Sequence, residues 1–211
     1  MTHLIPIFPL SIVVYPGENL NLHIFEPRYK QLINDSVAHK KPFGIAAMLN
    51  NGVYEMGTLL DVVEVVKLYE DGKMDVRTKG IKIFRILEIV KALPQKLYDG
   101  AIVTYPPNDE RPYINLMQQV LAEIRKLHLL LKISKDFKKP DDDLTSYDMA
   151  HHAGLSLVEE YELLLLMRED QRLHFLKKHL AKVIPLVTGL ENLKEKIRLN
   201  GHFKELEGFN L

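Results

Sequence analysis

The amino-acid sequence contains no cysteine, and it lacks an excess of charge of either sign. The absence of cysteine excludes disulfide bonds, thiolate nucleophiles and cysteine-ligated zinc, and it fits a reducing compartment. Lysine and arginine together number 28, and so do aspartate and glutamate, which leaves a formal net charge of zero. Because there is no basic excess, the composition favours neither nucleic acid nor an anionic membrane as a partner.

Long hydrophobic runs are also lacking, since no apolar stretch approaches the roughly 18 residues of a membrane-spanning helix. The most apolar N-terminal stretch, residues 4–15, has some likeness to the core of a signal peptide. However, Pro6 and Pro9 interrupt it, no lysine or arginine precedes it, and no small-residue cleavage site follows it. We therefore expect a cytoplasmic protein without a membrane partner.

The motifs of common enzymes are missing. Gly52 and Gly57 have the spacing of a phosphate-binding loop, but threonine and leucine follow where lysine and a hydroxyl residue are needed. Ser156 does not lie in the G-x-S-x-G elbow of a serine hydrolase, and a helix-capping role explains it better. We therefore predict no catalytic residue, no cofactor and no enzymatic activity.

The nine histidines form no recognisable metal motif, because H-E-x-x-H is absent. His151 and His152 are adjacent, so on a helix their side chains would point about 100° apart. His174 and His179 would lie about 140° apart around a helix. Zinc would need further ligands, and none is clustered near them in the sequence. Packed or solvated histidines are therefore favoured over a metal site.

Two other polar groups allow both a functional and a structural interpretation. Glu26 and Arg28 could contact a ligand, but a strand-to-helix corner explains them better: Glu26 favours the helix dipole and Arg28 pairs with a nearby carboxylate. Lys79, Lys82 and Arg85 could contact nucleic acid, but neighbouring acids balance them, and a solvated strand face is favoured. The sequence therefore does not identify the residues that bind a partner.

Before residue 106 the sequence predicts strands, because short apolar runs are separated by turn residues. Two of these strands are predicted at residues 5–7 and 12–15, and a break at Gly80 is predicted to separate two later ones. A single helix is predicted to begin at Pro27, a residue that a first helical turn tolerates. Several short strands at this spacing indicate a small barrel or sandwich.

After a proline-rich linker at residues 106–112, the apolar spacing becomes helical. One apolar face predicts a helix that extends to Leu131. Ser156 and Glu159 form a capping box that begins another helix. This helix is predicted to continue through residues 163–167, which are apolar on every side and therefore predicted to be buried on every side.

The last helix contains an apolar seam that passes through Pro185. The seam consists of Leu173, Leu176, Leu180, Val183, Val187 and Leu190. One long helix bent at Pro185 is favoured because the seam stays in phase, and a break with Thr188 capping a new helix is the alternative. The sequence thus predicts an α+β protein, with a β-rich domain over residues 1–107 and an α-helical bundle over residues 112–205.

Three short sequences near the N-terminus carry a family resemblance: PIFPL at residues 6–10, YPG at 15–17 and LHIFEPRY at 22–29. They are similar to the strand, the turn and the helix start that open the N-terminal domain of Lon-type proteases and its stand-alone bacterial relatives. Weaker likeness extends through residues 57–86 and 156–180. The resemblance therefore covers nearly the whole chain in order.

This resemblance implies a pseudouridine-synthase-and-archaeosine-like (PUA-like) barrel, mainly antiparallel, followed by a helical bundle. It also implies a part in substrate recognition and oligomer assembly. Full-length Lon proteases continue into an ATPase module and a Ser-Lys protease module, and the sequence shows neither a phosphate loop nor such a dyad. We therefore expect a stand-alone member that lacks both modules.

Three functions compete at this point. The leading hypothesis is a non-catalytic module, linked to protein quality control, that binds unfolded or flexible polypeptide through a sheet edge or through a groove between barrel and bundle. An RNA-binding PUA-like protein is the alternative, with nucleic acid disfavoured by the charge balance. A small-molecule or hydrolytic site between the two halves is the third hypothesis. The long last helix is also compatible with a homo-oligomer.

Overall fold

The computed structural model describes residues 1–50, 52–91 and 93–206, with residues 200–206 described only as backbone. The β-rich part consists of β1 His3–Leu10, β2 Asn19–Ile24, α1 Pro27–His39, β3 Phe43–Leu49, β4 Gly52–Leu68, β5 Met74–Val90 and β6 Gly100–Thr104. The helical part consists of α2 Ile114–Leu131, a 3₁₀ turn Asp141–Asp143, α3 Ser146–Ala150, α4 Leu157–Leu164 and α5 Glu169–Leu206. Strands thus precede the bundle along the chain, with one helix among them, as predicted.

Strand β5 closes the sheet into a barrel because it pairs with three other strands. Its first half pairs with β2, its second half pairs with β6, and β4 runs beside most of its length. The strand order β2-β5-β4-β3-β1-β6, together with the additional β5–β6 pairing, makes a ring to which β2 is attached. β1 and β3 are parallel, and the other described neighbours are antiparallel. The mainly antiparallel barrel is therefore confirmed.

The strand predicted at residues 12–15 is wrong. This segment contains buried apolar residues but forms no strand. The backbone carbonyl of Val14 accepts a hydrogen bond from the buried Thr58 hydroxyl, so a side chain replaces a neighbouring strand as its partner. A buried segment that forms no backbone hydrogen bonds with a neighbouring strand can contain the same run of apolar residues as a buried strand, which explains the error.

The break predicted at Gly80 is also wrong, since β5 passes through this residue without interruption. The Gly80 N–H donates to the Glu18 carbonyl at 2.8 Å, and the Gly80 carbonyl accepts from the Gly17 N–H at 2.9 Å. A Cβ atom at Gly80 would overlap the Tyr15 carbonyl oxygen. Glycine therefore permits a close approach of two backbones here, one of the usual meanings of glycine within a strand.

Helix α1 begins at Pro27, as predicted, and covers one end of the barrel. It buries Tyr29 together with the residues three and four positions later, Leu32 and Ile33. These side chains belong to one apolar cluster with residues of β2, β3, β4 and β5. The helix is thus held by its apolar face, and its C-terminal end stays at the barrel surface.

The largest cluster of buried apolar residues draws on both parts of the chain. From the β-rich part it contains Val13, Tyr15, Ala47, Leu49, Met56 and Ile83. From the helical part it contains residues of α2, α3, α4 and α5. The barrel and the helices therefore share a core, and the domain boundaries at residues 1–107 and 112–205 stay a prediction.

Helix α5 continues through Pro185 without a break, which confirms a single long helix; a bend at Pro185 stays a prediction. Its first half packs along α2 and buries Leu173, Leu176 and Leu180. Residues 192–199 are all exposed, so this part of the helix extends past the bundle. None of the described helices has the length and apolar character needed to cross a membrane.

Helix α4 ends at Leu164, so the burial predicted for residues 163–167 is only partly correct. The first two of these residues are buried, but Leu165 is exposed. The chain leaves the helix and pairs with the segment that joins the two parts of the chain: the Asp109 N–H donates to the Met167 carbonyl at 2.8 Å. This long-range pairing replaces the next helical turn, and no local pattern indicates it.

Candidate functional site

The distal half of β4 is an exposed strand edge. β4 pairs with β3 only as far as Leu60, whereas its pairing with β5 continues to Leu68. Within the part of the chain that the structure describes, the β4 edge after Leu60 therefore has no strand beside it. Residues 63–68 are all exposed, and four of them are apolar: Val63, Val65, Val66 and Leu68. Such an edge can accept a further extended chain.

Two bulges interrupt this edge. The register between β4 and β5 shifts between Val62 and Glu64, and again between Val65 and Lys67. A bulge leaves one residue unpaired and disrupts the ladder of backbone hydrogen bonds. An added strand would therefore form only a short ladder at this edge, and side-chain contacts would have to supply much of the binding free energy.

Two adjoining cavities lie at the C-terminal end of α1, and the larger of them borders the edge. The larger, of about 570 Å³, lies between the segment 36–41 and residues 61–65 of β4. The other, of about 380 Å³, lies between the same end of α1, residues 4–6 of β1 and the segment 93–98. Both cavities are lined by Ser36 and Lys41, so they meet there. We call the two cavities together the α1 groove.

The polar groups of the α1 groove differ in whether they have partners. Asp35 accepts hydrogen bonds from Lys96 Nζ at 2.8 Å and from the Tyr98 hydroxyl at 2.7 Å. Burial alone would raise the pKa of Asp35, but these two bonds outweigh it and lower that pKa. Lys41 is exposed and forms no ion pair with any described residue. The buried Ser36 hydroxyl likewise has no hydrogen-bond partner within the described structure.

A second polar cluster joins the barrel to the helical part, and we call it the His151 cluster. His151 Nδ1 lies 2.7 Å from Glu160 Oε1, and His151 Nε2 lies 3.2 Å from Glu18 Oε2. The Tyr15 hydroxyl donates to the Glu160 backbone carbonyl at 2.9 Å, and the Tyr15 N–H donates to Glu18. Burial raises the pKa of Tyr15 far above its usual range, so its hydroxyl stays protonated. The cluster therefore links the Tyr15–Glu18 turn to α4.

We expect the His151 cluster to make folding stability pH-dependent. Burial of His151 disfavours the charged ring, but hydrogen bonds to Glu160 and Glu18 outweigh it and raise the pKa of His151 from 6.5 to about 9. A pKa raised by folding gives stability that is full below pH 6.5 and lost as the pH rises through 9. Allowing for partial solvent screening, we expect a loss of about 1–2 kcal/mol.

Urea unfolding of the protein at several pH values measures this effect. His151→Gln is expected to flatten the decline in unfolding free energy on the alkaline side. His174→Gln is the control, because His174 contacts only a carbonyl of its own helix, that of Asp170, among the described residues. An unchanged pH profile in His151→Gln would contradict the role given to the cluster.

Comparison with known protein families identifies the chain. The model of the ATP-dependent protease La (LON) substrate-binding domain matches residues 4–182. The chain belongs to this family. The match includes the α1 groove, the His151 cluster and the first part of α5.

Individual relatives of this LON substrate-binding domain agree with that assignment. A Lon protease from Parabacteroides distasonis is 30% identical over a region that covers 43% of this chain and 12% of that protein. The chain thus matches only a small part of the length of that protease. A Lon N-terminal domain protein from Xanthomonas campestris superimposes with a TM-score of 0.63 at 22% identity, covering 83% of this chain and 98% of the other.

The N-terminal domain of a Mycobacterium avium complex Lon protease gives a TM-score of 0.64 at 17% identity. The superposition covers 85% of this chain and 98% of that one. At such low identity these structures establish the fold alone. The barrel followed by a helical part with a long C-terminal helix is therefore the architecture of Lon N-terminal domains.

The Glu26–Arg28 corner of this LON substrate-binding domain has the structural role that the sequence favoured. Glu26 is the N-cap of α1, and Arg28 pairs with it at 2.8 Å. Arg28 also lies over the Tyr29 ring, 4.5 Å from its centre. The two charged side chains thus find their partners within the corner itself, and neither of them lines the α1 groove.

The three cations considered for nucleic acid are spread along β5 and have separate neighbours. Lys82 Nζ lies over the Tyr105 ring at 3.7 Å from its centre, and Arg85 lies 3.7 Å from Glu55. Lys79 stands opposite Asp61 in the β4–β5 register. This arrangement agrees with the solvated strand face that the sequence favoured.

The histidine side chains that the structure describes are packed or paired. His152 stacks on Phe137, with ring centres 4.2 Å apart, and burial lowers its pKa to about 4. His179 Nδ1 lies 3.2 Å from Glu159, the capping residue of α4. No group of three or more histidine, aspartate or glutamate side chains in the described residues is arranged to hold a metal ion.

Sequence reasoning missed a buried charged cluster around Arg172, the first-turn arginine of α5. The guanidinium group is fully buried and pairs with Glu169 at 2.7 Å. It also donates to Asn108 Oδ1 and to the backbone carbonyl of Asp109 at 2.9 Å each. Arg172 therefore holds the linker against the helical part. An arginine directly before the apolar seam gives no sign by itself that it is buried.

Proposed function

We propose that this domain is a non-catalytic binding module that holds extended, flexible segments of other polypeptides in the α1 groove, alongside the free edge of β4. The family description names substrate binding, and the substrates of a protease are polypeptides. The observation that carries the proposal is a strand segment, residues 63–68, that is exposed on its surface and unpaired along one edge. Addition of a strand to such an edge is a recurrent mode of peptide recognition.

Magnitudes indicate which contacts dominate at this site. A net backbone hydrogen bond contributes about 0.5–1.5 kcal/mol, and the bulges allow only a few of them. Full burial of one valine or leucine side chain contributes about 1.5–3 kcal/mol. We therefore propose that apolar side chains of the bound segment, seated against β4 and in the groove, supply most of the affinity.

Val63 is the residue whose replacement tests this proposal most directly. Val63→Lys places a charge at the exposed edge and removes an apolar contact, so we expect binding to extended peptides to weaken about tenfold or more. Binding is measured by fluorescence anisotropy with peptides first selected on an array of short apolar segments. The fold should be unaffected because Val63 is already 56% exposed.

Leu87→Lys is the matched control. Leu87 is also 56% exposed, and it also lies at a register shift, between Ile86 and Glu88 of β5, away from the groove. We expect this variant to bind peptides with the same affinity as the wild-type protein. Equal weakening by both substitutions, or background binding by the unchanged protein, would refute the groove as the site. Binding of RNA with a steep salt dependence would support the RNA alternative instead.

We further propose that the bound segments belong to misfolded or unassembled proteins, which connects the module with protein quality control. Such chains present apolar residues in an extended form, whereas folded proteins bury most of their large apolar residues. The array provides the comparison, since segments taken from protein cores should bind more strongly than segments taken from protein surfaces.

A further inference from the structure

We infer that the α1 groove selects polypeptide segments in which an aspartate or glutamate side chain lies between apolar residues. The inference rests on the proposed function and specifies the class of segment bound. It is carried by Lys41, a lysine that lines both cavities and forms no ion pair with any described residue, together with apolar residues that line each cavity.

The positive charge comes from the end of α1. Lys40 caps the helix in the left-handed conformation, with φ of 51°, and Lys41 follows it. Both line the larger cavity, and Lys41 lines the smaller one as well. Both are exposed, and neither forms an ion pair with any described residue. Lys41 thus lies where the two cavities adjoin, and Lys40 lies beside the larger one alone.

The acidic residues around the groove neutralise these lysines only in part. Asp35 is engaged by the ammonium and hydroxyl groups described above. Glu64 pairs with Arg77 at 2.8 Å. Asp61 lines the larger cavity and forms no ion pair with any described residue, so it can offset one of the two lysines but not both. A carboxylate brought by a ligand is therefore the group that would complement the remaining positive charge.

The surroundings of this point fit an acidic residue with apolar neighbours. Ser36 lines both cavities together with Lys41. Leu4 and Leu93 line the smaller cavity, and Val63 and Val65 line the larger one. Successive side chains of an extended segment could thus place apolar groups in each cavity and a carboxylate between them.

The experiment compares two short fluorescent peptides of valine and leucine that differ only at a central glutamate or glutamine. Both are amidated at the C-terminus, so that a terminal carboxylate cannot replace the side chain. We expect the glutamate peptide to bind about twofold to fivefold more tightly, as an exposed ion pair of up to about 1 kcal/mol provides. The preference should shrink as the salt concentration rises.

Lys41→Met removes the charge while keeping much of the aliphatic stem, and it should abolish the preference for glutamate. Lys178→Met is the control, because Lys178 is an exposed lysine of α5 outside the groove, and it should keep the preference. If both peptides bind equally to the unchanged protein, or if Lys41→Met retains the preference, the inference is wrong while the proposed function stands. If neither peptide binds, the proposed function itself is wrong.

Discussion

Replacement of Arg172 with methionine is expected to lower the free energy of unfolding by about 3–5 kcal/mol, the usual loss when one partner of a buried ion pair is removed. Glu169 is as deeply buried as Arg172, and methionine would leave its carboxylate without a cation. The carbonyl of Leu166, which accepts from the guanidinium at 2.8 Å, would also lose its donor. Urea denaturation followed by circular dichroism measures the change.

Arg168→Met provides the comparison on the same segment. Arg168 forms an ion pair with Asp170 at the same distance of 2.7 Å, but its side chain is exposed. Exposed pairs contribute about 0–1 kcal/mol, so this variant should be nearly as stable as the unchanged protein. The double variant Arg172→Met, Glu169→Gln should regain part of the loss, because the unpaired charge is gone. Similar losses of unfolding free energy for Arg172→Met and Arg168→Met would show that burial of an ion pair does not determine its contribution to stability.

Gly57→Ala is expected to destabilise the barrel by about 3 kcal/mol or more, at the upper end of the range for overpacking a core. A Cβ atom at this position of β4 would overlap the backbone carbonyl oxygen of Ile45 in β3 and the ring of Phe84 in β5. The Phe84 ring is completely buried and has no free space to enter. The backbone oxygen can move only if the β3–β4 ladder is distorted.

Gly52→Ala in the same strand is the control for this substitution. A Cβ atom there would lie 3.6 Å from the nearest atom, the Leu49 carbonyl oxygen, which is an ordinary contact. We expect a change within about 1 kcal/mol, since alanine also restricts the unfolded chain. The melting temperatures of the two variants separate the outcomes. Equal effects would mean that strand propensity, rather than the space around Gly57, determines stability.

Local patterns predicted those parts of the fold that local physics determines. Pro27 marks the start of α1, Ser156 and Glu159 form the capping box of α4, and the phase of the apolar seam indicated that α5 passes through Pro185. Each of these features depends on residues of a single helix or of its cap. The sequence signal and the structural cause are therefore the same.

Features that depend on distant residues left no such local signal. Closure of the barrel needs β5 to pair with β6 far along the chain, and the early end of α4 depends on pairing with Asp109. The His151 cluster joins Glu18 to Glu160, which are 142 positions apart by number. The α1 groove also could not be predicted, because it forms where segments of both strands and loops meet.

The bulges of β4 also bear on how molecules of this protein behave toward one another. A long and regular free edge would allow two copies to join their sheets, because each backbone hydrogen bond formed between the two edge strands would align the groups that form the next one. At β4 the two register shifts lie only a few residues apart, so the alignment would be lost soon after it began. The edge can therefore accept a short flexible segment, which adapts to the bulges, whereas the equally rigid edge of a second barrel cannot. Under the proposed function, the irregularity that limits the affinity for a ligand would thus also disfavour the stacking of molecules into fibres at high concentration.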